Sequence, residues 1–234
     1  MLSRLIGDPV LLLITLPVVI ISLTFHEFAH AYSAVKLGDQ TPAITGRLSL
    51  NPLAHLDIMG FLCMLLTGFG WAKPVQVNPR NFKNGKRGMA ITAAAGPLSN
   101  LLMSFVCMFI LALLAKFKVL AVYYGKGYFS GLSFGESLLM VLGTMIYYLS
   151  IWNLYLAIFN LIPIPPLDGS RLVDAFLPGK VSYYYNAYGR YFQIGLFAVM
   201  MVLIYTDVFN PISWLAGKVW DLFYYIWFGI FGIA

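Results

Sequence analysis

The chain has 234 residues, of which 60% are hydrophobic, 16% aromatic and only 10% charged. That is more apolar surface than one water-soluble domain of this length can bury, so the chain belongs in a bilayer. Its net charge of +6 is spread over loops between apolar segments, without the aromatic interleaving of a nucleic-acid surface, which points to cytoplasmic loops and excludes nucleic acid as a partner.

The first apolar segment is expected to form a helix over about Pro9 to Leu37. Asp8 is placed to cap it, Pro9 sits where a first turn tolerates proline, and Gly38 can end it. Pro17 can kink it. Asp8-Pro9 interrupts the apolar entry and no small-residue cleavage site precedes His26, so this helix is expected to remain in the mature protein. Gly38 to Asp57 is polar and irregular, read as loop with some extended backbone.

Ile58 to Phe69 is apolar but only about a dozen residues long, so it is expected to dip into the membrane and return. The segment that follows, WAKPVQVNPRNFKNGKR, contains no acid. From Lys36 to Arg87, seven Lys or Arg face only Asp39 and Asp57, which places this region on the cytoplasmic side. Its Val75-Gln76-Val77 alternation between Pro74 and Pro79 suggests an edge strand. Further helices are expected at about Gly88 to Ala115, Glu136 to Asn160, Tyr185 to Tyr205 and Pro211 to Ile230. The expected fold is therefore all-α and polytopic, one domain over residues 1–234, with about five to six transmembrane helices and a short re-entrant, β-like element. Cys63 and Cys107, with no CxxC, read as small buried hydrophobes.

His26-Glu27-Phe28-Ala29-His30 is an HExxH motif in the first helix. At 100° per residue the two histidines lie about 40° apart and one turn along the axis, so both imidazoles can reach one tetrahedral ion. Glu27 projects at a neighbouring angle, able to take a proton from an activated water without being a ligand. With only 3 His in the chain, chance would give this pattern about once in three thousand such sequences. Glu27 also lies about 15 Å of helix before Gly38, where an ionised carboxylate needs a compensating charge.

A catalytic zinc ion usually has three protein ligands and one open position. Asp168 is the distinctive candidate for the third. It follows Asn160-Leu-Ile-Pro-Ile-Pro-Pro-Leu, whose prolines end a helix and stiffen the approach, with Gly169 behind it. A plain helix-end turn is the alternative. His55 is either another ligand, a substrate contact or an ordinary loop histidine. Asn100 and Asn160 are either donors to a developing oxyanion or interhelical hydrogen bonds and caps.

HEFAH in a first hydrophobic helix, AAAGPLSN opening a later one and NLIPIPPLDG after another resemble the three signatures of the site-2 protease family of intramembrane zinc metalloproteases. GRLSLNPLAHLD and GWAKPVQVNPRNF also resemble its compact bacterial members, which lack an inserted PDZ or CBS domain. The resemblance implies one Zn2+ held by His26, His30 and Asp168, with Glu27 as the catalytic base and Asn100 and Asn160 lining the site. It implies a multi-pass protein of a bacterial cell membrane, with its active site toward the cytoplasm, that cleaves transmembrane substrates within the lipid bilayer.

A transmembrane substrate helix must unwind before attack, because its amides are hidden in internal hydrogen bonds. The Val75–Val77 segment and the loop around His55 could pair with the unwound strand. A membrane metal-ion transporter is the competing reading of His and carboxylate residues on helices. It would typically need a second ligand-rich helix, and the chain's three histidines do not supply one.

Overall fold

A computed structural model describes residues 8–67, 71–119, 131–205 and 210–233. The described residues are helical, joined by turns and one extended segment, with no strand among them. Helix α1 spans Pro9–Lys36. Asp8 caps it by accepting from the N–H groups of Val10 and Leu11, and Pro17 lies inside it. Gly38 ends it at φ 109°, a left-handed conformation that side chains with a Cβ avoid. A short helix α2, Thr41–Ile44, and a single 3-10 turn at Pro52–Ala54 lead to α3, Ile58–Thr67.

Ten residues of helix reach only about 15 Å, half of the hydrocarbon thickness. Residues 68–70 of the expected dip lie outside the described residues. The expected edge strand does not form. Residues 71–78 run extended, but Lys73 N–H donates to the His55 carbonyl, while the N–H groups of Val75 and Asn78 donate to the carboxylates of Glu27 and Asp39. Side chains take the donors a neighbouring strand would need, and Pro74 and Pro79 have none to give.

Helix α4 spans Gly85–Lys116, capped by Asn84 and containing Pro97. Helix α5, Phe134–Asn160, starts with a reciprocal capping box between Ser133 and Glu136. Most of the loop between them lies outside the described residues. Helices α6 (Asp168–Asp174) and α7 (Gly179–Ala187) are short. Helix α8 spans Gly189–Tyr205 and α9 Pro211–Ile230, the latter capped by Asn210. The helix expected over 185–205 is thus two pieces, broken at Tyr188.

Among the described residues α1, α4 and α5 are long and apolar enough to cross a membrane. These three pack on one another, with α6 against α4. Helix α9 completes the far side through an aromatic cluster in which Phe223 and Trp227 meet Phe105 at ring separations of 5.0 and 4.8 Å. Helix α8 makes its principal contact with α7 instead. The well-packed part of the molecule is therefore the α1–α4–α5 unit with α6 docked at one end.

Candidate metal centre

On α4, Thr92, Gly96 and Asn100 recur every four residues, so they share one face. That face meets the His26 and His30 side of α1. Gly96 permits the approach: a Cβ there would overlap the imidazoles of both His26 and His30. Pro97 beside it cannot donate to the carbonyl one turn back, which loosens the helix wall at this level.

Each imidazole is fixed by its outer nitrogen. His26 Nδ1 lies 2.6 Å from Asn100 Oδ1, and His30 Nδ1 lies 2.7 Å from the Thr92 carbonyl. Both oxygens can only accept, so both Nδ1 atoms carry the proton and both Nε2 atoms present a lone pair. The Asn100 amide has no freedom to turn over, because its Nδ2 donates to Asn153 Oδ1 at 2.5 Å and to the Ser22 carbonyl. Asn153 is held in turn, its Nδ2 donating to Ser22 Oγ and the Leu149 carbonyl. Asn100, Asn153 and Ser22 are fully buried. The chain of bonds Leu149–Asn153–Asn100–His26 sets the tautomer of one candidate ligand from two helices away.

The two Nε2 atoms stand 3.0 Å apart, and Asp168 Oδ2 is 3.2 Å from each. With both Nε2 unprotonated, that buried oxygen has no hydrogen-bond donor. Two lone pairs and a carboxylate oxygen at such distances repel unless a cation lies among them. Ligands at about 2.0–2.1 Å from a tetrahedral zinc stand about 3.3 Å from one another, close to the triangle seen here. The donor set of two imidazoles and a carboxylate, with its outer nitrogens already engaged, therefore fits a zinc ion.

Asp168 reaches the trio from the first residue of α6, after a tight passage from Leu161 to Leu167. Gly169 is required there by space rather than by a left-handed backbone, since a Cβ would overlap the Leu161 carbonyl. Ser170 closes the turn by donating from Oγ to the Leu167 carbonyl. Glu27 lies about 60° around α1 from His30 by helix geometry and reaches the extended segment. One of its oxygens, Oε2, accepts the Val75 N–H at 3.1 Å, which leaves Oε1 available to a second partner.

The remaining candidates take other places. Asn160 Nδ2 donates to the Leu156 carbonyl of its own helix at 3.0 Å. His55, only 2% exposed, is absent from the converging group, which consists of His26, His30 and Asp168. Its Nε2 lies 2.7 Å from the Ser49 carbonyl, and its own carbonyl anchors Lys73. Asn153, Ser22 and the Thr92 carbonyl escaped the sequence reading. Asn153 carried a legible signal, an amide in the middle of an apolar helix; a carbonyl carries none.

Peptidase family M50 is matched by residues 14–203. Among similar proteins, YwhC of Bacillus subtilis (strain 168) is 38% identical over 198 residues, covering 83% of this chain and 81% of that one. Rip2 of Mycobacterium tuberculosis (strain H37Rv) is 27% identical over 210 residues, covering 87% and 70%. Both bear the name "putative zinc metalloprotease". No solved structure matches the chain.

Proposed function

Because the chain belongs to Peptidase family M50, the site-2 proteases, and is a zinc metalloprotease of the membrane, we propose that it is an intramembrane endopeptidase acting on transmembrane segments of other proteins. Its zinc ligands are His26, His30 and Asp168, and its general base is Glu27. The observation that carries this reading is the convergence of three ligand atoms within 4.8 Å of one another, on and beside a helix long enough to span a bilayer. The family and its relatives favour this reading over a metal transporter.

Zinc supplies Lewis acidity, able to lower the pKa of a bound water to about 7 and to polarise a carbonyl. Glu27 takes the proton from the attacking water through Oε1 and returns it to the leaving amine, while the Val75 N–H holds Oε2 and fixes the carboxylate. Asn100 acts by orienting His26 rather than by touching substrate. Asn160 remains on the approach to Asp168, where a substrate carbonyl can compete for its amide. The extended residues around Val75–Val77 offer backbone groups to an unwound substrate strand.

Helices α8 and α9 add two crossings to α1, α4 and α5, for five in all, while α3 dips and returns. The basic segment from Lys73 to Arg87 then faces the cytoplasm, and so does the site. Residues 1–234 act as one domain, in a bacterial cell membrane, releasing membrane-tethered proteins by regulated intramembrane proteolysis.

The test is cleavage of a single-span substrate by purified protein in liposomes, with zinc measured alongside. Wild type should cleave inside or at the edge of the span and Glu27→Gln should bind zinc without cleaving. Undiminished cleavage by Glu27→Gln, or zinc flux into empty vesicles, would end this reading.

A further inference from the structure

A cavity of about 240 Å3 opens beside α1, one turn before Glu27. Its α1 wall is Ile20, Leu23 and Thr24, the positions that precede Glu27 on the same helical face at i, i+3 and i+4. The opposite wall is the Trp152–Leu156 face of α5. Ala72 closes one side, three residues before the Val75 N–H that holds Glu27. The cavity therefore lies between the Glu27 face of α1 and the start of the extended segment.

The lining is mainly apolar, with Thr24, Asp57, Tyr155 and Asn210 among its polar residues. Thr24 and Asp57 already bond nearby backbone groups and Asn210 caps α9, whereas two buried ring nitrogens, Trp152 Nε1 and His55 Nδ1, have no hydrogen-bond partner. Trp152 Nε1–H can only donate. His55 donates from Nε2 to the Ser49 carbonyl, so its Nδ1 is the acceptor of a neutral ring. A buried unused donor and a buried unused acceptor in a mainly apolar cavity do not match a lipid tail, which offers neither. They do not match a carboxylate either, which cannot donate. They match a group that does both on an apolar body.

We propose that this cavity receives a substrate side chain next to the scissile bond, and that it selects a bulky apolar one ending in a hydroxyl, as tyrosine does. Trp152 and His55 are then specificity residues, separate from the metal ligands. The proposal rests on the protease reading above and names the substrate feature which that reading leaves open.

The test uses the full-length protein in liposomes with a single-span substrate whose residues flanking the cleavage point are replaced in turn by Tyr, Phe, Leu, Ala and Glu. One position should favour Tyr over Phe by about tenfold in kcat/KM, because a site built to bond a hydroxyl rejects the analogue lacking it. Trp152→Phe should bring that ratio close to one. Ala72→Leu, which fills the cavity from its other side, should shift the preference at the same position toward Leu and Ala.

A second measurement needs no turnover. Glu27→Gln protein is irradiated with substrate carrying a photoreactive phenylalanine at that position, and the adduct should map to α5 around Trp152. Absent cleavage by wild type would count against the protease reading alone, leaving the pocket to be decided by this crosslink. Side-chain preferences unchanged by both variants would overturn the proposal. So would an adduct mapping elsewhere, or a photoreactive acyl lipid that labels the cavity and is not displaced by substrate.

Discussion

His26 and Glu27 are neighbours in the chain, but the two sides of the α1 turn that carries them differ in how they are held. The histidine side faces α4 and α5 and is closed by a fully buried run of amides and hydroxyls, Ser22, Asn100 and Asn153. Every bond of that run that fixes His26 comes from a long, packed helix. The Glu27 side faces an extended segment between two prolines, joined to the helix by the Val75 N–H. That segment is anchored at its ends, through Lys73 to the His55 carbonyl and through Asn78 and Asn81 to Asp39. One side is locked between packed helices, whereas the other rests on the donors of an extended segment. Substitutions on the first should read out as lost metal, and on the second as lost turnover with metal retained.

The largest effect is expected from Asp168→Ala, which removes one of the three proposed ligands. Zinc should be lost on dialysis, with cleavage falling below detection; zinc stoichiometry by atomic emission checks it. Next comes Glu27→Gln, expected to lower kcat by about 10²–10⁴-fold with zinc content unchanged. If this variant loses its zinc too, the two sides are not independent.

Asn100→Ala should weaken zinc binding by about 10–100-fold, the usual cost of removing a partner that orients a ligating histidine. Asn153→Leu should act in the same direction and more weakly, since it frees Asn100 to turn over without removing it. Competition with a chelator of known affinity ranks them. Equal zinc affinity in wild type and both variants would refute the relay from Leu149 to His26.

On the other side, Val75→Pro deletes the donor to Glu27 and should reduce kcat while zinc stays bound. Val77→Pro tests strand pairing with substrate and should mainly raise KM. The smallest effect concerns Asp39. Burial alone would raise its pKa, but bonds from Thr41, Asn78 and Asn81 outweigh it and hold the carboxyl below its ordinary value. A lowered folded-state pKa contributes stability that is present above the ordinary Asp range of about 3.9 and is lost as pH falls through the folded value. Thermal melts of wild type should therefore drop below about pH 4, whereas Asp39→Asn should lose about 1–3 kcal/mol at neutral pH and depend less on acid.

The comparison also explains what could be read in advance. HExxH is a local pattern on one helix, and the placement of His26, His30 and Glu27 follows from 3.6-residue geometry. The helix ends were legible because their signals are local as well: Asp8 with Pro9, Gly38 and Pro211 stand where α1 and α9 begin or end. Asp168 could be singled out by its prolines and Gly169, although the reason for Gly169 proved to be contact with Leu161.

Long-range relations were not legible. Nothing near Asn100 states that its partner is Asn153, 53 residues on. Val75–Val77 looks like a strand because alternation is local, whereas the loss of its donors to Glu27 and Asp39 depends on tertiary placement. The division of the 179–205 region into two helices was missed because Tyr-rich sequence there keeps an apolar character through the break at Tyr188.

The central claim is that two imidazoles and one carboxylate of this chain hold the metal. Zinc-edge X-ray absorption on the purified full-length protein tests it directly. The account predicts a nitrogen and oxygen shell at about 2.0–2.1 Å with the multiple-scattering signature of two imidazoles, retained in Glu27→Gln and abolished in Asp168→Ala. A sulfur shell at about 2.3 Å, or a spectrum unchanged by Asp168→Ala, would contradict it.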